Sequence, residues 1–256
     1  LIFQANGEKS RTLYAFDMIG AAGGSLLGLF LLNTFSIVQS LAIILIIFSI
    51  ASILSIPLVK RKGFILTTAS IVLASLYLIL LTPDIEINIA TSSEKDLLRL
   101  KSNPSVKTTT IESKWNSFGR TDLVKFIYPD STTSMSMFID GAAGTQVVNI
   151  SELEKDKEKL FHTLMHSNMF FEFNFLKDNE KDSALIIGPG GGIDIAAAYF
   201  GKTKQIDAVE VNPTFVDFMK KYNKTTFAGK PNINVIVGEG RNFVRNTKNK
   251  YDLIFL

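Results

Sequence analysis

Five residues, Gly188-Pro189-Gly190-Gly191-Gly192, separate a short apolar run, Ala184–Ile187, from an alanine-rich segment, Ile193–Phe200. A turn without Cβ atoms lets a ligand approach the backbone, and at a helix N-terminus its N–H groups face that ligand. The apolar run suits a strand buried on both faces, and Gly201 suits the position just past a helix end. A second strand, Gln205–Val211, carries Glu210 at its C-terminal end. In an open α/β sheet ligands bind at that edge, where one carboxylate can accept both hydroxyls of a ribose. Gly188, Gly190, Gly192 and Glu210 are therefore the candidate nucleoside site. A dinucleotide fingerprint would require a small residue where Ile193 stands, and the glycines instead fit G-x-G-x-G.

The elements that position these residues follow from patterning. Strands near 184–188, 205–211, 233–237 and 251–256, separated by helices Asn212–Tyr222 and Arg241–Asn246, make half of a Rossmann-like parallel sheet. Upstream, Pro83–Pro104 is a polar linker with a short helix at Glu94–Leu100, and from Val106 the pattern changes to β. Thr121–Tyr128 and Ser134–Ile139 alternate about the turn residues Pro129-Asp130-Ser131, which predicts a hairpin closed by Asp140-Gly141. Ser151 with Glu154 predicts a capping box opening a helix to about Ser167, with Leu153, Leu160, Phe161, Leu164 and Met165 as its buried stripe. His162 and His166 share a face of it, but no third ligand is evident, so they are surface residues and no metal is expected. Phe170, Phe171, Phe173 and Phe175 are expected in the core between this helix and the sheet.

The 256 residues are enough for one or two domains, with no cysteine and therefore no disulfide or thiolate metal site. A net charge of +3 is too small to point to nucleic acid. Charge is nearly absent from 12 to 82. Ile37–Val59 is 23 residues without a charge and Phe64–Thr82 is 19 more, each long enough to cross a hydrocarbon core of about 30 Å. Thr12–Leu32 is a third expected span, in which Gly20, Gly24 and Gly28 line one face that could pack closely on a neighbour, and Asp17 lies near its start. The Lys60-Arg61-Lys62 cluster belongs on the cytoplasmic side by the positive-inside rule, which with three spans places the rest of the chain outside. An adenosyl ligand is made inside, and on that ground the C-terminal domain is placed in the cytoplasm. The chain opens on Leu1 and stops at Leu256 within an apolar run, as a piece of a longer protein would.

Six stretches follow one another in a telling order: SKWNSFGRTDLV (Ser113–Val124), FIDGAAGT (Phe138–Thr145), FHTLMHS (Phe161–Ser167), the glycine turn, DAVEVNP (Asp207–Pro213) and GEGRNFV (Gly238–Val244). The turn with Glu210 resembles the first motif of class I S-adenosylmethionine-dependent enzymes. The whole order, over roughly Ser113 to Leu256, resembles the spermidine synthase family (polyamine aminopropyltransferases) in its bacterial membrane-fused form. The resemblance implies N-terminal transmembrane helices (1–83), a linker and small β-hairpin region (84–183), then an α/β, Rossmann-like, class I methyltransferase-like parallel sheet (184–256), truncated at the C-terminus. It implies transfer of an aminopropyl group from decarboxylated S-adenosylmethionine to a polyamine acceptor. Carried over, Gly188, Gly190 and Gly192 cradle the nucleoside and methionine-derived part, and Glu210 holds the ribose. Glu239 and Gly240 match the acidic position that contacts the adenine.

The chain departs from the family where it has Gly191 in place of an acid inside the turn, Phe161-His162-Thr163 in place of Tyr-His-Glu, and no glutamine at the usual place after Asp140-Gly141. The family's catalytic aspartate would follow the strand Tyr251–Leu256 directly, so no catalytic residue is assigned. Two other functions fit the same scaffold: an S-adenosylmethionine-dependent methyltransferase, or a catalytically degenerate membrane sensor of polyamine or nucleoside. The partners expected are a small-molecule amine and the lipid membrane, with room for a homo-oligomer.

Overall fold

A computed structural model describes residues 9–54, 62–81, 94–165, 170–173, 175–222 and 230–256. The chain forms two compact units, one of Leu1–Asn88 with Trp115–Ser117 and one of Ile89–Lys114 with Phe118–Leu256. In the first, helices α1 (Ser10–Thr34), α2 (Ile37–Leu54) and α3 (Lys62–Leu81) succeed one another. Two of the three expected spans, α1 and α2, are long and apolar enough to cross a membrane, and the described apolar stretch of α3 is the shorter Thr68–Tyr77. The ends of the expected spans at 55–59 and Thr82, with Lys60 and Arg61, lie outside the described residues.

Helices α2 and α3 pack on each other. The buried residues of α2 are Ser40, Ala42 and Ser49, and Thr68 and Ser75 are buried on α3. Large side chains point the other way: Phe48 is 68% exposed and Leu54 76%. Small residues inside and large apolar ones outside invert the pattern of a soluble bundle. Among the described residues nothing packs on the expected glycine seam: a Cβ built at Gly20, Gly24 or Gly28 meets nothing within 4 Å.

The second unit opens with α4 (Asp96–Lys101) and a four-stranded sheet of β1 (Lys107–Asn116), β2 (Gly119–Ile127), β3 (Thr133–Ile139) and β4 (Ala142–Gln146), in that order. The predicted hairpin is its middle, β2 pairing antiparallel with β3 from Thr121↔Ile139 to Ile127↔Thr133. Asp140 and Gly141 do not close that hairpin. They form the next turn, between β3 and β4, where φ values of 50° and 76° give the left-handed pair a two-residue hairpin needs.

Three short helices follow, α5 (Ile150–Leu153), α6 (Lys157–Met165) and α7 (Phe170–Phe173). The single helix opened by Ser151 and Glu154 is thus two. Asn149 caps α5, its side chain accepting from the Glu152 N–H, and Asp156 restarts the chain by accepting from the Lys159 N–H at 2.9 Å. Phe173 is buried as expected, but Phe175 is 85% exposed.

The parallel sheet comprises β5 (Ser183–Ile187), β6 (Gln205–Glu210), β7 (Ile233–Val237) and β8 (Leu253–Phe255), in the order β7-β6-β5-β8. Its pairs β5–β6, β6–β7 and β5–β8 are all parallel. Helices α8 (Ile193–Phe200), α9 (Pro213–Tyr222) and α10 (Gly240–Asn246) connect the strands. The chain runs outward from β5 to β7 and returns to β8 on the other side of β5. This reversal makes a switch-point crevice at the C-terminal end of β5, where the glycine turn lies. One core joins both sheets: Leu123 and Met137 of the first sheet cluster with Ala184, Ile186, Ile206 and Ala208 of the second. The fully buried Ala196, Ala197 and Ala198 let α8 lie close against β5 and β6.

Candidate functional site

Gly188, Gly190 and Gly192 have φ values of 75°, 53° and 95°, a run of left-handed backbone that residues with a Cβ rarely adopt. The turn is held by its own amides. Gly188 donates to the Val209 carbonyl at 2.9 Å, Gly190 to Glu210 Oε2 at 3.3 Å, Gly191 to Thr145 Oγ1 at 2.9 Å and Gly192 to the Pro189 carbonyl at 2.8 Å. These N–H groups therefore do not face a ligand, as the pattern alone had suggested. The turn is built by internal hydrogen bonds; Gly188 is exposed and Gly190 half-buried, whereas Gly191 and Gly192 are buried. Asp194 in the first turn of α8 adds a negative charge at the helix N-terminus. Spent donors and that charge together disfavour a phosphate-bearing ligand and suit a neutral or cationic one.

Glu210 is the last residue of β6 and only 5% exposed. Its Oε2 accepts from Gly190 and its Oε1 accepts from the Asn212 N–H at 2.9 Å. Two backbone donors, one on each oxygen, fix the carboxylate in orientation. Each oxygen keeps an acceptor position, so the group retains capacity for two hydroxyls. The structure thus brings the predicted Glu210 and Gly190 into direct contact across 20 residues of sequence.

Glu239 and Gly240 reach the same sheet edge, where Gly238 donates to the Glu210 carbonyl at 2.9 Å. The Glu239 carboxylate is exposed and occupied with its own helix, accepting from Asn242 N at 2.6 Å and Arg241 N at 3.1 Å as the N-cap of α10. Those two backbone donors, Asn242 first, hold it below the usual carboxylate range. Gly240 is buried, and a Cβ there would run into the Ile187 side chain, so its glycine serves the packing of α10 on β5.

Sequence reasoning missed Thr121, Thr145 and Asn212. Thr145, at the end of β4, is the acceptor for Gly191. Asn212 caps α9, its Oδ1 accepting from the Thr214 N–H at 3.0 Å, and its Nδ2 donates to Thr121 Oγ1 at 3.1 Å. The Asn-Pro pair opening a helix signals the cap. Nothing local signals the threonines, since their partners lie 91 and 46 residues away. Gly191 proves to be a steric requirement: a Cβ there would collide with the Gln146 carbonyl oxygen, and the Gly191 carbonyl accepts from Val148 N.

A groove of about 780 Å³ opens on another face of the sheet, lined by Asp207, Asn234, Asn242, Asn249 and Tyr251. Asp207 alternates with Ile206 and Ala208 along β6 and so faces away from the core and from Glu210. It is satisfied by Tyr251 at 2.6 Å and by Asn234 and Asn249 at 3.3 Å, a structural tie between β6, β7 and the approach to β8. Burial, then the bond to Asp207, raises the Tyr251 hydroxyl above its ordinary range. His162 is exposed on α6, and His166 lies outside the described residues.

Residues 159–256 match the spermine/spermidine synthase domain family. A polyamine aminopropyltransferase of Clostridium botulinum is 40% identical over 78 residues, covering 29% of this chain and 27% of that protein. One of Buchnera aphidicola is 29% identical over 133 residues, covering 50% and 42%. The spermidine synthase structure from Thermotoga maritima aligns at 24% identity with a TM-score of 0.39, covering 57% of this chain and 46% of that one. The chain spans less than half the length of these relatives. The glycine turn, Glu210 and the parallel sheet all fall inside residues 159–256, the stretch that matches the spermine/spermidine synthase domain family.

Proposed function

We propose that this chain is a membrane-anchored transferase of the polyamine aminopropyltransferase type, which moves an aminopropyl group from decarboxylated S-adenosylmethionine to a polyamine acceptor. The observation that carries the reading is Glu210, buried and aligned by Gly190 and Asn212 at the switch-point crevice. The spent amides of the turn support a ligand without phosphate, and a sulfonium nucleoside is one. In this chemistry a neutral amine attacks the carbon next to the sulfonium, and the protein must hold both partners in line and take up the amine's proton. Glu210 supplies anchoring of the nucleoside.

Anchoring in the membrane is supported by the length and apolarity of α1 and α2 and by the burial of Ser40, Ser49, Thr68 and Ser75 beneath outward-facing Leu, Ile and Phe. The nucleoside-binding unit is then on the cytoplasmic side, where the cofactor is made. One observation favours a second reading, an S-adenosylmethionine-dependent methyltransferase. The acid that the resemblance leads one to expect at 191 is absent, and the Gln146 carbonyl leaves no room for it. Calorimetry with both cofactors separates the two. Tighter binding of decarboxylated S-adenosylmethionine supports aminopropyl transfer, and tighter binding of S-adenosylmethionine supports methyl transfer and overturns the first reading.

A further inference from the structure

The first sheet reaches the ligand crevice through buried hydroxyls, and one of them backs the ribose-binding acid. Thr121 is fully buried in β2 and Asn212 is 1% exposed. Every polar group of Asn212 has a defined use. Its N–H donates to Glu210 Oε1 at 2.9 Å, its Oδ1 accepts from Thr214 N at 3.0 Å, and its Nδ2 donates to Thr121 Oγ1 at 3.1 Å. The Asn212 contact to Glu210 is shorter than the 3.3 Å bond from Gly190, so it is the tighter of the two restraints on the carboxylate. A buried amide donor without an acceptor is costly, and the Thr121 hydroxyl supplies an acceptor to Asn212 Nδ2. Thr121 in turn is fixed by its sheet, paired with Ile139 of β3.

We propose that Thr121 and Asn212 are positioning residues for Glu210, making the first sheet a determinant of ribose recognition by the second. The proposal rests on the reading of Glu210 as the ribose ligand. Thr121 touches no substrate in this scheme. It holds Asn212, Asn212 aims one carboxylate oxygen, and the aimed carboxylate distinguishes a ribose from a deoxyribose.

The test compares methylthioadenosine with its 2′-deoxy analogue, by calorimetry on the detergent-solubilised chain. A misaimed carboxylate loses hydroxyl recognition selectively, whereas general loosening weakens both ligands alike. The unsubstituted protein binds the ribonucleoside about tenfold or more tightly than the deoxy form, as one charge-assisted bond allows. In Thr121→Val, which keeps the shape but removes the hydroxyl, that ratio falls to about threefold or less, and Thr121→Ser restores it. Asn212→Ser keeps a capping oxygen but cannot reach Thr121, and it supplies the same comparison if the valine variant does not fold. An unchanged ratio in a folded Thr121→Val or Asn212→Ser overturns the proposal. Failure of the unsubstituted protein to prefer the ribonucleoside overturns the role of Glu210 itself, a visibly different result.

Discussion

Replacing Glu210 with glutamine changes one oxygen into an NH2 and removes the charge, and the structure says what each change costs. Both carboxylate oxygens accept a backbone N–H, from Gly190 and from Asn212. A glutamine amide can satisfy one and must turn donors toward the other. With the site only 5% exposed, water does not make up the loss, and an unpaired N–H there costs about 1–3 kcal/mol of stability. Ligand binding loses a charge-assisted hydroxyl bond at the altered atom, about 1.5–3 kcal/mol, or roughly ten- to over a hundredfold in affinity. Glu210→Ala removes both acceptors and weakens binding further. Titration calorimetry with methylthioadenosine reads the affinity, and thermal unfolding of the same samples reads the stability. Glutamine binding as tightly as glutamate would refute the reasoning, because then neither the charge nor the second acceptor serves the ligand.

Gly191→Asp forces a side-chain carbon into the Gln146 backbone carbonyl and costs about 3 kcal/mol or more, a drop of roughly 6–12 °C in melting temperature for a domain of this size. An unchanged melting temperature with stronger binding of decarboxylated S-adenosylmethionine would show that the turn can open and that the collision is not a barrier. The proposed membrane anchoring predicts that the chain fractionates with membranes and leaves them only in detergent. Release by high salt or carbonate alone would contradict the outward-facing apolar surfaces of α1 and α2. Hydrogen bonds from Lys230 and then Tyr199 lower the Glu154 carboxyl, and the bonds to Glu154 and then Tyr199 raise the Lys230 ammonium. The carboxylate contribution is complete above the ordinary glutamate value and is lost as pH falls through the depressed folded one. The ammonium contribution is complete below the ordinary lysine value and is lost as pH rises through the raised folded one. The pair is partly exposed, so its worth is about 0.2–1 kcal/mol, level between roughly pH 5 and 10. Glu154→Gln shifts melting curves within that window and converges with the parent in acid, and equal separation at pH 3 would refute the assignment.

What the sequence made legible was local. The strand–turn–helix around Gly188–Gly192 and the strand-end Glu210 are written in consecutive residues, and the four parallel strands appear within two or three residues of where periodicity put them. The change to β from Val106 was legible, but β1 and β4 could not be delimited as strands, because Thr108-Thr109-Thr110 and Ala142-Ala143-Gly144 lack the alternation of buried and exposed apolar residues that marks β2. The capping box at Ser151 failed for a competitive reason: Asn149 reached the Glu152 amide first, and the chain broke before Asp156. The site was half legible. Its glycines and Glu210 carry their chemistry in their types, whereas Thr121 and Thr145 acquire theirs only when the first sheet folds against the second. The amides of the turn teach the converse lesson, since a glycine turn at a helix start suggests donors for a ligand and here they are consumed by Val209, Glu210, Thr145 and Pro189.

The most direct test of the account is product analysis. The purified protein in detergent is incubated with decarboxylated S-adenosylmethionine and a diamine, and the mixture is examined by mass spectrometry. Aminopropyl transfer releases methylthioadenosine in equal amount to the aminopropylated amine, and Glu210→Gln lowers both together. Methylthioadenosine without the lengthened amine, or a methylated amine when S-adenosylmethionine is supplied instead, would contradict the central claim.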